Sequence, residues 1–151
     1  MTQVDFYILN ENSQRNIEIL TCQLIEKAVA QQHSVYIQCT SSEQANRLDE
    51  LLWKYKPESF LAHKNLLQSD LQKNKDIEAY HYPVVIGSGE DIINGYDQLL
   101  INLDAQVPQF FSRFHRVAEM VSNDNSDKEL ARQRYRFYKE RGYPLKNHDI
   151  Q

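Results

Sequence analysis

The stretch SVYIQCTSSEQANRLDELLW, residues 34–53, carries the pattern from which the fold of this chain follows. Its first six residues form a short, mostly apolar run of the kind found in buried strands. Ser41 then stands three residues before Gln44, which is the spacing of a capping box at the start of a helix. Four apolar residues follow on one helical face: Ala45, Leu48, Leu51 and Leu52. The stretch therefore predicts a strand that leads directly into an amphipathic helix.

The same succession of elements comes earlier in the chain. Residues 4–9, VDFYIL, predict a buried strand, and residues 13–31 carry apolar side chains at steps of three and four, which predicts a helix. Strand, helix, strand and helix joined by short connections are typical of a mainly parallel sheet flanked by helices. We therefore predict an α/β fold of Rossmann-like form.

The remainder of the chain is predicted to add three strands and two helices. The helices are expected at residues 108–121, which begin with a proline suited to a first helical turn, and at residues 127–141, which end before Gly142. The polar residues 68–76 predict a surface loop, and only the last few residues are expected to be disordered. The three strands are predicted in ESFLAH (58–63), YPVVIGSG (82–89) and DQLLINLD (97–104).

Length and charge limit the number of domains and the functional classes that this chain can have. A chain of 151 residues, 41% of them hydrophobic, can bury one core, so we expect residues 1–151 to form a single domain. Residues 1–109 carry 8 Lys and Arg against 15 Asp and Glu, whereas residues 110–151 carry 9 against 6. Proteins that bind nucleic acid along their whole surface are basic, so this balance argues against that class. Without an apolar span or a signal-peptide pattern, we expect a cytoplasmic protein with no membrane partner.

The motifs for catalysis, cofactors and metals are missing from the sequence. The glycines of GSGED, residues 87–91, lack the spacing of a dinucleotide site and predict a tight turn. The five histidines occur singly, which argues against a metal site. Asp49 and Glu50 are interpreted as solvated helix charges, and Cys22 and Cys39 as buried, inert thiols. We therefore expect no catalytic residues, no cofactor and no metal.

The final predicted helix concentrates positive charge in LARQRYRFYKERG, residues 130–142. On a wheel of 100° per residue, one sector is expected to rest on the rest of the protein: Leu130, Ala131, Arg134, Phe137 and Tyr138. The opposite sector, called here the cationic face, consists of Lys128, Arg132, Tyr135, Arg136 and Lys139. Closely spaced cations repel one another, and a bound anion relieves that repulsion.

Three interpretations of the cationic face remain open at this point. It is a solvated surface that keeps the protein soluble, or it binds single-stranded DNA with Tyr135 stacked on a base, or it binds an acidic peptide through two-pronged contacts from arginine to carboxylate. The acidic remainder of the chain disfavours DNA. The residues alone do not decide between the solvated surface and the peptide.

The segment LARQRYRFYKERGYPL, residues 130–145, resembles the C-terminal signature of the chi subunit of bacterial DNA polymerase III holoenzyme, an accessory protein of the clamp-loader complex. DFYIL, RLDELLW and PESFLAH match other segments of that family in order. The resemblance implies a non-catalytic adaptor that meets DNA only indirectly. It also implies that the cationic face binds the acidic, phenylalanine-ended tail of single-stranded-DNA-binding protein. Arg132 and Arg136 would hold carboxylates, and Tyr135 would flank the apolar end.

The same resemblance implies a second binding surface, called here the Trp53 surface. In the family it binds the small psi subunit, and a helicase of the XPD/Rad3 type uses overlapping contacts. Tryptophan is enriched in interface hot spots, although core packing of these aromatic residues stays an alternative. This chain carries Ala62 where chi chains often carry proline. The residues of the Trp53 surface are Leu52, Trp53, Pro57, Phe60 and His63.

The alternative from another functional class is a nucleotide-binding protein or enzyme of Rossmann-like form, with a site that the motifs do not reveal. Such a protein would be stabilised by nucleotides in a thermal-shift measurement, whereas an adaptor would not.

Overall fold

The structure is a computed structural model that describes residues 1–55, 62–66, 82–88 and 95–151. The predicted loop at residues 68–76 and most of the predicted GSGED turn lie outside these ranges. The strands within them are β1 (Gln3–Leu9), β2 (Val35–Gln38), β3 (His63–Asn65), β4 (Val84–Gly87), β5 (Leu99–Asn102), β6 (Arg116–Val121) and β7 (Leu145–Ile150). The α-helices are α1 (Ile17–Ala30), α2 (Ser42–Lys54) and α3 (Asn125–Glu140).

The seven described strands form one sheet in the order β3-β4-β2-β5-β6-β1-β7. Every neighbouring pair in this order is parallel. Parallel strands covered on both faces are expected to be apolar throughout, and β2 and β4 are buried at every position. The predicted α/β fold with a mainly parallel sheet is therefore confirmed.

Local capping explains where the first two helices begin. The Ser41 side chain accepts a hydrogen bond from the amide of Gln44 at 3.2 Å, as the capping-box spacing predicted, and α2 starts at the next residue. The Gln44 side chain accepts from the amide of Thr40 at 2.8 Å. Helix α1 begins later than predicted because Asn16 caps it, accepting a hydrogen bond from the amide of Ile19 at 2.8 Å.

The sheet separates two apolar layers. On one face, α1 and α2 pack through residues such as Ile25 and Leu48. On the other face, α3 packs against a layer that is rich in aromatic side chains, among them Phe6, Phe111 and Tyr138. The two helical layers therefore lie on opposite sides of the sheet.

The predicted helix at residues 108–121 is wrong. A short 3-10 turn at Phe111–Arg113 is followed by β6, which lies between β5 and β1 in the sheet. Five of the six residues of β6 are buried, and four of these five are apolar, with Glu119 as the exception. Such a run fits a buried helix and a buried strand equally well.

The disorder predicted for the last few residues is also wrong. Residues 145–150 form β7, which pairs with β1 from Val4 opposite Leu145 to Leu9 opposite Ile150. The sequence LKNHDI has no buried residue, which is why it lacks the apolar signal of a strand. It is joined to β1 by parallel pairing and by His148, whose ring stacks on Tyr7 at 4.5 Å between centroids and whose Nε2 lies 3.2 Å from Asp5 Oδ1.

Candidate partner-binding surfaces

Helix α3 presents its cationic face to solvent as the helical wheel predicted. Ala131, Arg134 and Tyr138 are buried against the sheet. Tyr135 is half-buried because its ring packs edge-on against Phe6, with 5.4 Å between ring centroids. One member of the inner sector differs from the prediction, since the side chain of Leu130 is 37% exposed.

All five residues of the cationic face line one cavity of about 550 Å³ between α3 and the strands β1 and β7. The cavity has a cationic wall and a mainly apolar floor, which is typical of sites that orient a ligand with a few polar groups. The sequence did not predict the floor, because it combines residues of α3 and its flanking strands with Phe6 and Ile8 from the distant strand β1. Its residues are Phe6, Ile8, Val121, Ala131 and Asn147.

One of the four cations of this wall has a carboxylate partner. The Nη1 atom of Arg132 lies 2.8 Å from Oε2 of Glu129, one turn earlier on α3, and both side chains are more than 60% exposed. Exposed pairs of this kind contribute at most about 1 kcal/mol. Within the described ranges no carboxylate pairs with Lys128, Arg136 or Lys139. The wall therefore keeps most of its charge available for an anionic ligand.

A buried polar cluster fixes α3 to the sheet. Glu119, in the middle of β6, accepts hydrogen bonds from Arg134 Nε at 2.8 Å and from the Tyr138 hydroxyl at 2.6 Å. The Asn102 side chain on β5 donates to the same carboxylate at 2.9 Å. Burial raises the pKa of the Glu119 carboxyl, and the Arg134 cation acts against that rise. The hydrogen bonds determine the position of α3 and hence the direction of its cationic face.

No motif in the sequence indicates this cluster. Arg134 was expected on the inner sector of α3, but a lone glutamate inside an apolar run does not reveal its partner. The pairing depends on the parallel arrangement of β5 and β6, in which Asn102 stands opposite Glu119.

The described part of the Trp53 surface combines one exposed ring with two buried residues. Trp53, at the end of α2, is 50% exposed, whereas Leu52 and His63 are buried. The indole ring lies on the imidazole of His63, with 4.3 Å between centroids. Pro57 and Phe60, also assigned to this surface by the resemblance, lie outside the described residues.

Asp49 differs from its prediction as a solvated helix charge. Its carboxylate Oδ1 lies 2.9 Å from Nε2 of the buried His63, and its own side chain is only 18% exposed. Glu50 is exposed, as expected. Asp49 thus belongs to the support of the Trp53 surface rather than to solvent.

The described residues contain no group of three or more metal-binding side chains, and none of their helices is long and apolar enough to cross a membrane. Cys22 and Cys39 are both buried and unpaired, as predicted. Burial raises the pKa of each thiol to about 12, which keeps both protonated at neutral pH.

Solved structures with the same fold are very different in sequence. The crystal structure of T4 UvsW matches with a TM-score of 0.70 at 7% identity, and Mss116p DEAD-box helicase domain 2 bound to an RNA duplex matches with a TM-score of 0.69 at 8% identity. The matches cover 99% of this chain but only 42% and 64% of those proteins. At such low identity they support the Rossmann-like fold and nothing more.

Relatives from three bacteria are similar over nearly the whole chain. The DNA polymerase III subunit chi of Pseudomonas aeruginosa is 38% identical over 150 residues, which are 99% of this chain and 98% of that protein. The corresponding subunit of Haemophilus influenzae is 32% identical over 148 residues, 96% of this chain and 95% of the relative. That of Escherichia coli is 30% identical over 149 residues, 96% of each chain.

The family model for the DNA polymerase III chi subunit, HolC, matches residues 1–146. This match and the three relatives confirm the resemblance carried by residues 130–145, and with it the expectation of a polymerase subunit rather than a separate enzyme. The chain belongs to the family of DNA polymerase III chi subunits.

Proposed function

We propose that this chi-family protein is a non-catalytic, cytoplasmic adaptor of a single domain, which connects single-stranded-DNA-binding protein to the clamp-loader complex. The cationic face of α3 binds the acidic tail of the first partner, and the Trp53 surface binds the psi subunit of the second. The observation that carries the proposal is the cavity beside α3, because one site brings together all five side chains of the cationic face.

The chemistry of the cavity suits a short peptide that is acidic and ends in an apolar residue. Guanidinium groups bind carboxylates through paired, charge-assisted hydrogen bonds. The apolar floor, which includes Phe6 and Ile8 beside Tyr135, offers a place for an aromatic side chain. A peptide of this kind uses both halves of the cavity at once.

The proposed work of the adaptor is tethering. A single tail contact is weak, but the single-stranded-DNA-binding protein coats DNA in many copies. Several tails close together raise the local concentration of binding partners and strengthen the attachment without further contacts.

The tail site is tested by titrating a fluorescently labelled acidic tail peptide and measuring its anisotropy. Replacing Arg136 by alanine removes an unpaired cation of the cavity wall, and we expect the Kd to rise about tenfold. Arg113→Ala is the matched control, because Arg113 is exposed and does not line the cavity. Equal losses in the two variants would exclude the cavity as the binding site. A labelled oligonucleotide that binds as tightly as the peptide would favour direct DNA binding instead.

The psi site is tested with Trp53→Ala. We expect this variant to bind psi about 10 to 100 times more weakly, because exposed tryptophans act as interface anchors. Its affinity for the tail peptide should equal that of the unchanged protein. Loss of both activities together would argue against two separate surfaces. If the XPD/Rad3-type helicase uses the same contacts, psi and the helicase will compete for the protein.

A further inference from the structure

Two contacts between described side chains join α2 to the short strand β3. Asn65 Nδ2 donates to Asn46 Oδ1 at 2.9 Å. Nε2 of His63 lies 2.9 Å from Asp49 Oδ1 and 3.1 Å from the Asp49 carbonyl oxygen. β3 has three residues and forms one end of the described sheet. These side-chain contacts therefore add to the few backbone contacts that such a short strand makes.

The contacts of His63 with Asp49 are made by its Nε2 atom. Both Asp49 atoms near Nε2 are acceptors, so Nε2 carries a proton. It donates a hydrogen bond to the Asp49 carbonyl oxygen and lies within ion-pair distance of the carboxylate. The His63 side chain is fully buried. The carboxylate and carbonyl oxygens of Asp49 both lie at Nε2, so Asp49 restrains the imidazole that contacts the indole of Trp53.

Trp53 lies one helical turn after Asp49 on the same face of α2. Its indole rests on the imidazole at 4.3 Å between centroids, with the two ring planes tilted by 45°. The orientation of His63 thus determines the surface on which the half-exposed indole ring packs.

We infer that Asp49 is a positioning residue for the Trp53 surface: through His63 it holds the indole of Trp53 in one orientation before the partner binds. The inference rests on the proposed binding of psi at this surface. Binding with an anchor that is already ordered avoids the loss of side-chain freedom that otherwise weakens association. Replacing Asp49 should therefore weaken psi binding about 3- to 10-fold, although every atom of Trp53 is retained.

The first test reads the orientation of Trp53 directly. Trp53 is the only tryptophan of the chain, so its fluorescence reports on this site alone. Asp49→Ala removes the carboxylate and keeps the backbone carbonyl that accepts from His63, so it loosens the imidazole without releasing it. The emission intensity of Trp53 should change and its anisotropy should fall. Asp49→Asn keeps an oxygen that accepts the imidazole proton and should restore both values. Asn46→Ala is the matched control, since it removes the hydrogen bond from Asn65 and leaves the contact between Asp49 and His63 in place.

Thermal unfolding of the same variants separates positioning from general stability. If Asp49→Ala and Asn46→Ala lose similar stability but only Asp49→Ala changes the emission, the effect belongs to Trp53. Emission that is unchanged in Asp49→Ala, or equally changed in Asn46→Ala, would overturn the inference. Should Asp49→Ala fail to fold, Asp49→Ser takes its place, because its shorter side chain does not reach the imidazole.

The second test measures psi binding in a double-mutant cycle. Asp49→Ala should weaken binding in the presence of Trp53 but add nothing to Trp53→Ala, because the two residues act through the same ring. Tail-peptide binding should stay unchanged throughout. If Trp53→Ala leaves psi binding intact, the proposed psi site is wrong, and the fluorescence comparison still decides whether Asp49 positions the indole. If Trp53→Ala weakens psi binding and the loss from Asp49→Ala is independent of Trp53, the positioning role is wrong.

Discussion

Single residues show how this protein places charge in two very different environments. Glu119 and Arg134 form an ion pair in the core. Tyr138 and Asn102 donate further hydrogen bonds to the Glu119 carboxylate. Arg132 lies in solvent, where its contact with Glu129 is screened by water. The buried pair of carboxylate and guanidinium is therefore structural, whereas the guanidinium of the exposed pair is available for binding.

Removing Arg134 should be far more destabilising than removing Arg132. Arg134→Ala leaves the Glu119 carboxylate buried without its cation, and we expect the free energy of unfolding to fall by about 3–5 kcal/mol. Arg132→Ala removes only an exposed pair and should change it by less than about 1 kcal/mol. Urea unfolding followed by circular dichroism measures both. Similar losses in the two variants would mean that the buried cluster does not hold α3 to the sheet.

At the level of helices and strands, α3 was predictable because its polar and apolar residues alternate with the period of a helix. Arg132, Arg136 and Lys139 are exposed as the wheel predicted, whereas Lys128 and Tyr135 are half-buried, and among the inner residues Leu130 is exposed. The floor of the cavity was not predictable, because Phe6 and Ile8 reach α3 only through the order of strands in the sheet.

The predictions for β6 and β7 are wrong for opposite reasons. In β6 the apolar residues are so continuous that spacing cannot distinguish a strand from a helix, and the buried charge of Glu119 obscures the pattern further. In β7 there is too little apolar signal, because an edge strand with polar side chains is defined by pairing with β1. Both outcomes depend on contacts between distant parts of the chain.

The ion pair on α3 should weaken the binding of an acidic ligand. Glu129 pairs with Arg132 and adds negative charge beside the cavity, so under the proposed function it would compete with the tail for Arg132. We expect Glu129→Gln to lower the Kd for the tail peptide about two- to fivefold, the gain that follows from releasing an exposed pair worth up to about 1 kcal/mol. Peptide anisotropy at low salt measures the change. Glu140→Gln, also exposed on α3 but outside the cavity lining, serves as the control, and weaker binding in Glu129→Gln would show that Glu129 orders Arg132 for the ligand.

Across the whole molecule, the two proposed surfaces lie far apart. The cavity beside α3 lies next to β1 and β7, whereas Trp53 stands over His63 of β3, at the other end of the described sheet. Six strand spacings separate β3 from β7, which is roughly 29 Å. The two surfaces also belong to helices on opposite faces of the sheet. A partner at one surface therefore leaves the other accessible.

This separation predicts that both partners bind together and independently. At saturating psi, the Kd for the tail peptide should stay within about twofold of its value without psi, because coupling between sites requires two states that the ligands distinguish.

The two contacts should differ in their response to salt. Raising NaCl from about 0.05 to 0.3 M shortens the range of charge interactions, so it should weaken tail binding several-fold and leave psi binding nearly unchanged. Anisotropy titrations of the tail peptide with and without psi, at both salt concentrations, measure all of these values. A change of more than about fivefold in tail affinity on adding psi would mean that the surfaces communicate through the sheet.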